Sequence, residues 1–240
     1  MYLLVSRRDY VRSVKGRWGE VWFIGKDEYV GRSLFNYGEY NPDETEMILS
    51  LANGLCLDIG ANFGVMSQAL EANGFSVVAF EPQPDVYKVL RKNVVGQCHI
   101  VGLGATHSIA YMPKILTGSK ANYGGQAIGT KSELGTIEII VNTLDSYNFQ
   151  NVGFMKIDVE GFEERVLRGG VETIARCRPI MYIEDDRVEK SASLRSFIKS
   201  LGYTIEEHSP PLFRENNFFG KKENVWDRNY VSHNLICRPC

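Results

Sequence analysis

Residues 55 to 64 read Leu55-Cys56-Leu57-Asp58-Ile59-Gly60-Ala61-Asn62-Phe63-Gly64, a short apolar run that passes into a turn of small residues. A run of this length bounded by turn residues marks a strand buried on both faces, as in a parallel sheet. The turn puts little side chain in the way, so backbone can approach a ligand closely. A helix beginning near Gly64 would also present free N–H groups there. The spacing is Gly-x-x-x-Gly, not the Gly-x-Gly-x-x-Gly that receives a pyrophosphate. A nicotinamide-dependent oxidoreductase is disfavoured on that ground.

Working outward, residues 64 to 73 place Val65, Met66, Ala69 and Leu70 on one helical face. Ser76-Val77-Val78-Ala79-Phe80-Glu81 predicts a second buried strand, residues 85 to 95 a helix, and residues 99 to 103 a third strand. The alternation resumes at Phe154-Met155-Lys156-Ile157-Asp158-Val159, followed by one helix over 163 to 177. Ile180-Met181-Tyr182-Ile183-Glu184 is another strand and 193 to 201 another helix; 203 to 206 and 234 to 237 close the chain as strands. Repeated βα units imply an α/β, Rossmann-like fold with a mostly parallel seven-stranded sheet and helices on both faces. Ligands in such sheets bind beyond the carboxyl ends of the strands, where strand order reverses.

Upstream, Glu20-Val21-Trp22-Phe23-Ile24 and Tyr29-Val30-Gly31-Arg32-Ser33-Leu34 predict two short strands around a polar turn. They make residues 1–40 a small N-terminal β extension to a domain over 41–240. Asn41-Pro42-Asp43-Glu44 is a helix start, with Pro at the first helical position and acids in the first turn. Between the two βα series, residues 109 to 144 hold two β-like pieces around Asn122-Tyr123-Gly124-Gly125.

Composition narrows the partners. With 27 Lys plus Arg against 29 Asp plus Glu, the net charge is −2, which gives no footprint for nucleic acid or an anionic membrane. Leu3-Leu4-Val5 is too short for a signal-peptide core and nothing later approaches a membrane span, so a cytoplasmic protein is expected. The five cysteines are scattered. Only Cys237 and Cys240 form a C-x-x-C pair, without the further ligands that zinc requires. Oligomeric state is not legible.

Three strand ends carry polar residues. The first is the Asp58 to Gly64 turn itself. The second is Glu81-Pro82, where a carboxylate is placed to accept hydrogen bonds from ribose hydroxyls, as in nucleotide-binding sheets generally. The third is Lys156-Ile157-Asp158-Val159-Glu160-Gly161, where strand alternation points Asp158 and Glu160 to one side. Two carboxylates there could orient a hydroxyl, remove its proton, or hold a divalent cation. Alternatively Glu160 or Glu163 only begins the next helix. Two carboxylates at one strand end do not define a cation site, so no metal is assigned.

Asp58-Ile-Gly-Ala-Asn-Phe-Gly64, Phe80-Glu81-Pro82, Thr143-Leu144-Asp145 and Lys156-Ile-Asp-Val-Glu-Gly161, in this order, resemble the FkbM-type methyltransferase family. Asn216-Asn217-Phe218-Phe219-Gly220 and Ser232-His233-Asn234-Leu235 extend the likeness. The resemblance implies a class I methyltransferase sheet that binds S-adenosyl-L-methionine and methylates oxygen on a small-molecule or glycan acceptor. Carried over by position, Asp58, Gly60, Ala61, Asn62 and Gly64 surround the methionine end. Glu81 and Pro82 lie at the ribose, and Leu103 and Gly104 near adenine. Ala105 or Thr106 stands where many relatives carry an acid. Glu39 resembles a family acid close to the cofactor; the other reading is an exposed loop acid. For the base, Asp158 and Glu160 lead and His233 is third. A protein of this fold that binds without catalysis is the remaining alternative, and the intact strand ends argue against it.

Overall fold

The computed structural model describes residues 10–115, 119–129, 133–226 and 230–240. The Leu3-Leu4-Val5 run lies outside them. The chain opens on a hairpin of β1 (Val11–Gly16) and β2 (Gly19–Ile24), then passes through helices α1 (Val30–Tyr37) and α2 (Pro42–Leu51). Next come β3 (Leu55–Ile59), α3 (Val65–Ala72), β4 (Ser76–Phe80), α4 (Pro84–Asn93) and β5 (Gln97–His99). A separate three-stranded sheet follows, made by β6 (Gly102–Leu103), β7 (Ser108–Pro113) and β8 (Thr136–Asn142). The main sheet continues with β9 (Val152–Ile157), α5 (Glu163–Arg168), α6 (Val171–Cys177), β10 (Ile180–Glu184) and α7 (Val188–Ser200). It ends with β11 (Tyr203–His208) and β12 (Asn234–Pro239).

Seven strands form the main sheet in the order β11-β12-β10-β9-β3-β4-β5. All pairings from β10 through β9, β3 and β4 to β5 are parallel, and β12 runs antiparallel to both of its neighbours. The expected mostly parallel seven-stranded sheet is present, with an antiparallel edge. Successive strand residues point to opposite faces, and the core divides accordingly. Cys56, Val77, Phe154, Tyr182 and Ile236 pack with Ile48 and Leu51 of α2 and Met66 and Leu70 of α3. Leu57, Val78, Met155 and Ile183 pack with residues of α5, α6 and α7, among them Leu167, Ile174 and Ile198. Neither face of the central strands is left to solvent, which is why they read as continuous apolar runs.

Three elements depart from the sequence reading. Residues 29 to 34 do not form a strand: β2 pairs with β1, and α1 begins at Val30. Buried Val30, Ser33, Leu34 and Tyr37 recur at helical spacing. The Asp27 carboxylate accepts the backbone N–H of Gly31 (2.8 Å) and of Tyr29 (3.1 Å) at the helix start. Gly31 is required there, since a Cβ would lie 2.5 Å from the Ile24 carbonyl oxygen.

The expected strand over 99 to 103 is split. β5 pairs with β4 at the sheet edge, the chain leaves at exposed Ile100, and β6 joins β8 instead. The single helix over 163 to 177 is two, broken at Gly169-Gly170. A Cβ on Gly169 would sit 2.0 Å from the Gly104 carbonyl oxygen. Asp145 then caps α6 by accepting the N–H of Thr173 (2.7 Å) and Glu172 (3.1 Å).

Candidate active site

From β3 the sheet is extended one way by β4 and β5 and the other way by β9 and β10, so β3 stands at the switch point. A cavity of about 510 Å³ opens beyond the carboxyl ends of these strands. Gly60 makes one wall possible: it has φ +82°, and a Cβ would lie 1.8 Å from the Asp158 carbonyl oxygen. The turns after β3 and β9 therefore approach at backbone distance, which no other residue permits at this position. Asn62 follows, also left-handed at φ 52°, with its Oδ1 buried and without a partner among the described residues.

Glu81 ends β4 inside this cavity and is 4% exposed. Its Oε2 accepts the backbone N–H of Asn62 at 3.0 Å and its Oε1 that of Gln83 at 2.8 Å. Each oxygen keeps a lone pair for a further donor. Burial pushes its carboxyl up to about 7 despite those two N–H groups, with smaller contributions from Asp58 and Asp158. Beyond Glu81, Val101, Leu103, Met112 and Ile128 form an apolar slot, and Pro82 lines the same wall. Gln83 Nε2 donates to the Tyr123 carbonyl at 2.8 Å, which ties the segment after residue 121 over this end.

The other end is charged. Asp158 and Glu160 both line it, yet β9 ends at Ile157, so simple strand alternation does not bring them together. Glu160 instead takes φ 57°, and one of its carboxylate oxygens lies within 4.8 Å of one of Asp158. Glu44, Glu184 and Asp186 join the lining, as do Lys156 and Arg187. Lys156, 7% exposed, holds Nζ 2.9 Å from Asp158 Oδ2, and Arg187 pairs with Glu160 Oε2. Burial works to lower the Lys156 ammonium, but Asp158, Asp58 and Glu44 outweigh it and raise it. Glu44 and Glu160 are each pushed up to about 7, by burial first. Tyr29, Tyr40 and Tyr230 supply aromatic wall at this end.

Of the residues singled out from sequence, Gly60, Ala61, Asn62, Glu81, Pro82, Leu103, Asp158 and Glu160 line the cavity. Five others do not. Asp58 is fully buried under the turn and accepts from Ser67 Oγ at 2.6 Å. Gly64 packs on α4, where a Cβ would meet Leu90 and Val94 at 2.6 and 2.7 Å. Gly104 faces Val141 and Phe162. Glu39 is neither exposed nor at the cavity. Buried at 4% exposure, it accepts the Phe218 N–H (2.8 Å) and pairs with Arg17 (3.3 Å), clasping the first hairpin to the C-terminal segment. His233 lies outside, beside Ser209 (3.1 Å), with its N–H given to Asp186 at 2.9 Å. Sequence reasoning missed Glu44, Glu184, Asp186 and the pairing of Lys156. Only Glu184, a carboxylate closing an apolar strand, left a signal there.

Comparison with known proteins gives the family of the chain and relatives of its fold. The methyltransferase FkbM domain family matches residues 58–205. The 31-O-demethyl-FK506 methyltransferase FkbM of Streptomyces tacrolimicus is 24% identical over 235 residues, covering 81% of this chain and 86% of that protein. Among solved structures, the tRNA (uracil-54, C5)-methyltransferase of Pyrococcus abyssi, in complex with S-adenosyl-L-homocysteine, shares the fold. Its TM-score is 0.51 at 11% identity, over 95% of this chain and 44% of that one. Methyltransferase FkbM from Methylobacillus flagellatus matches with a TM-score of 0.49 at 15% identity, over 88% of this chain and 55% of that one. The chain thus spans about half the length of these two solved proteins. No helix among the described residues is long and apolar enough to cross a membrane.

Proposed function

The chain belongs to the FkbM-domain methyltransferase family, and from that premise we propose that it transfers a methyl group to a hydroxyl of a sugar or other small-molecule or glycan acceptor. It is a methyltransferase, and its cofactor is S-adenosylmethionine. The cavity fits that molecule on its own chemistry: a glycine wall against the backbone at Gly60, a buried carboxylate with spare lone pairs at Glu81, and an apolar slot at Val101 and Leu103. In this arrangement Glu81 would hold the ribose hydroxyls and the apolar slot the adenine. When bound, the cofactor supplies a methyl group already activated on sulfur.

What remains for the protein is placement and one proton. An alcohol loses its proton as it attacks, so a base within hydrogen-bond reach is needed. The observation that carries the reading is the meeting of Asp158 and Glu160 in one end of the cavity that Glu81 lines at the other. Asp158 or Glu160 orients the hydroxyl and accepts its proton. Tyr29, Tyr40 and Tyr230 line the same cavity, and aromatic side chains there suit a sugar. The Streptomyces relative, a methyltransferase named for an O-demethyl compound, supports oxygen as the receiving atom. A lining richer in carboxylates than in cations repels a phosphate backbone, so a nucleic acid is not the expected acceptor. Five free cysteines suit a cytoplasmic setting.

The test is transfer of labelled methyl from S-adenosylmethionine to a panel of glycans, nucleosides and small alcohols. Label appearing as a methyl ether on a sugar or small alcohol is expected. Label confined to nitrogen or to nucleosides would overturn the acceptor class.

A further inference from the structure

The end of β10 carries a group for which methyl transfer has no evident use. Glu184 closes that strand, and its carboxylate lies with those of Asp158 and Glu160 so that one oxygen from each falls within 4.8 Å of the others. Two of the three already have a cation, Lys156 for Asp158 and Arg187 for Glu160, each engaging a single oxygen. Glu184 has none. As a residue it is half-buried at the cavity wall, and its Oε2 is out of solvent. Among the described residues that oxygen has no hydrogen-bond partner.

A carboxylate oxygen shut away from water without a donor is unfavourable unless a proton or a cation comes to it. The surroundings make the demand stronger. Glu44 and Asp186 also border this end, against Lys156 and Arg187 as the cations of the same lining. The donors that converge are all hard oxygens, which suit magnesium or manganese. Oxygens that share one ion at about 2.1 Å lie at most about 4.2 Å apart. Carboxylates already within 4.8 Å therefore close on an ion by small side-chain movements, and its remaining positions would open on the cavity.

We propose that Asp158, Glu160 and Glu184 form a binding site for one divalent cation of the magnesium or manganese class at the acceptor end of the cavity. The site neutralises the surplus of carboxylates that Lys156 and Arg187 leave uncompensated. Its consequence for catalysis rests on the methyl-transfer reading. An acceptor hydroxyl that also ligates the ion loses its proton more readily, and is fixed in place before attack. The binding itself does not depend on that reading.

Calorimetric titration of manganese(II) into the full chain at pH 8, with the spin signal of the ion followed in parallel, tests the site. One manganese per chain is expected, with magnesium competing for it. Glu184→Gln and the more accessible Glu160→Gln should each weaken binding at least about tenfold. S-adenosylhomocysteine is titrated into the same samples as a check on folding and, separately, on the cofactor site. Protein that binds S-adenosylhomocysteine but takes up no manganese at millimolar concentration overturns the cation site and leaves the methyltransferase reading standing. Manganese bound equally by the parent and both variants places the ion elsewhere and overturns it too. Uptake of manganese that both variants weaken, without S-adenosylhomocysteine binding, supports the cation site and counts against the cofactor reading alone.

Discussion

Lys156 reaches Asp158 across 2.9 Å from a side chain only 9% exposed, while the carboxylate it meets is 36% exposed. The pair joins the sheet interior to the cavity. Lys156 sits on the α2 side of β9, where Asp58 and Glu44 also lean on it, and it compensates all three carboxylates at once. A buried ammonium persists because those charges outweigh the cost of removing it from water. The position of Asp158 at the reacting end is therefore set from behind, by a residue that lines the cavity and that the charges of Asp58 and Glu44 also hold.

Removing this cation should be expensive. Lys156→Met keeps the volume and leaves Asp58, Glu44 and Asp158 facing one another without it. Breaking a buried pair by deleting one partner costs about 3–5 kcal/mol, and the partly exposed carboxylate places this case near about 3. Urea unfolding at neutral pH measures it. A midpoint unchanged from the parent would mean that solvent already screens the cluster.

Glu81 should control cofactor affinity in a pH-dependent way. Glu81→Ala removes a charged acceptor of ribose hydroxyls and should weaken S-adenosylhomocysteine binding by about 1.5–3 kcal/mol, with Glu81→Gln costing less. Its carboxyl stands at about 7 without ligand, and hydroxyl donors favour the ionised form. Affinity in the parent should then rise by nearly about tenfold between pH 6 and 8 and stay level in Glu81→Gln. Calorimetry across that range decides it; equal slopes in the two proteins would remove Glu81 from the ribose.

Much of this was legible because local pattern and tertiary environment agree. The strands around Leu57, Val78 and Met155 are apolar on both faces because both faces are covered. The turn at Gly60 showed in sequence because only glycine allows the approach to Asp158. What failed to show depends on contacts distant in the chain. Val30 to Leu34 has strand-like composition, and only Asp27, together with the packing of Leu34 and Tyr37, makes it a helix. Glu39 resembled a cofactor ligand because spacing cannot reveal that Phe218 and Arg17 arrive to satisfy it. Glu184 and Glu44 come to the cavity from different elements, β10 and α2, and no linear motif joins them to Asp158.

The buried acids give the ligand-free protein an unusual stability profile. Glu44, Glu81 and Glu160 each stand at about 7 in the folded state against an ordinary 4.5. A carboxyl whose folded value is raised contributes stability that is complete below about 4.5 and is lost as pH rises through about 7. Ligand-free protein should therefore unfold at lower urea concentration at pH 8 than at pH 5.5, opposite to the trend produced by surface ion pairs. Saturating S-adenosylhomocysteine, by donating to Glu81, should flatten the difference. A urea midpoint that rises with pH would show that these acids are solvated in the folded state.

Asp158 and Glu160 separate chemistry from binding. Both stand at the charged end of the cavity, away from the apolar slot beyond Glu81, so their substitution should spare the cofactor. With an acceptor in hand, Asp158→Asn or Glu160→Gln should leave S-adenosylhomocysteine affinity within about threefold while lowering turnover by roughly 10²–10⁴. Each change keeps the shape of the side chain and removes its capacity to take a proton, so a loss confined to turnover belongs to the reacting step. Glu160 carries the sharper form of the test, because Arg187 pairs with it from a side chain 41% exposed. Arg187→Gln frees that carboxylate without touching Asp158. If Glu160 takes the proton, the pH profile of turnover should shift upward in Arg187→Gln, since the guanidinium lowers the affinity of Glu160 for a proton. A profile that stays in place would remove Glu160 from that role. Single-turnover methyl transfer between pH 5.5 and 9 reads both outcomes, and full activity in Asp158→Asn and Glu160→Gln alike would remove the pair from the proton-transfer step.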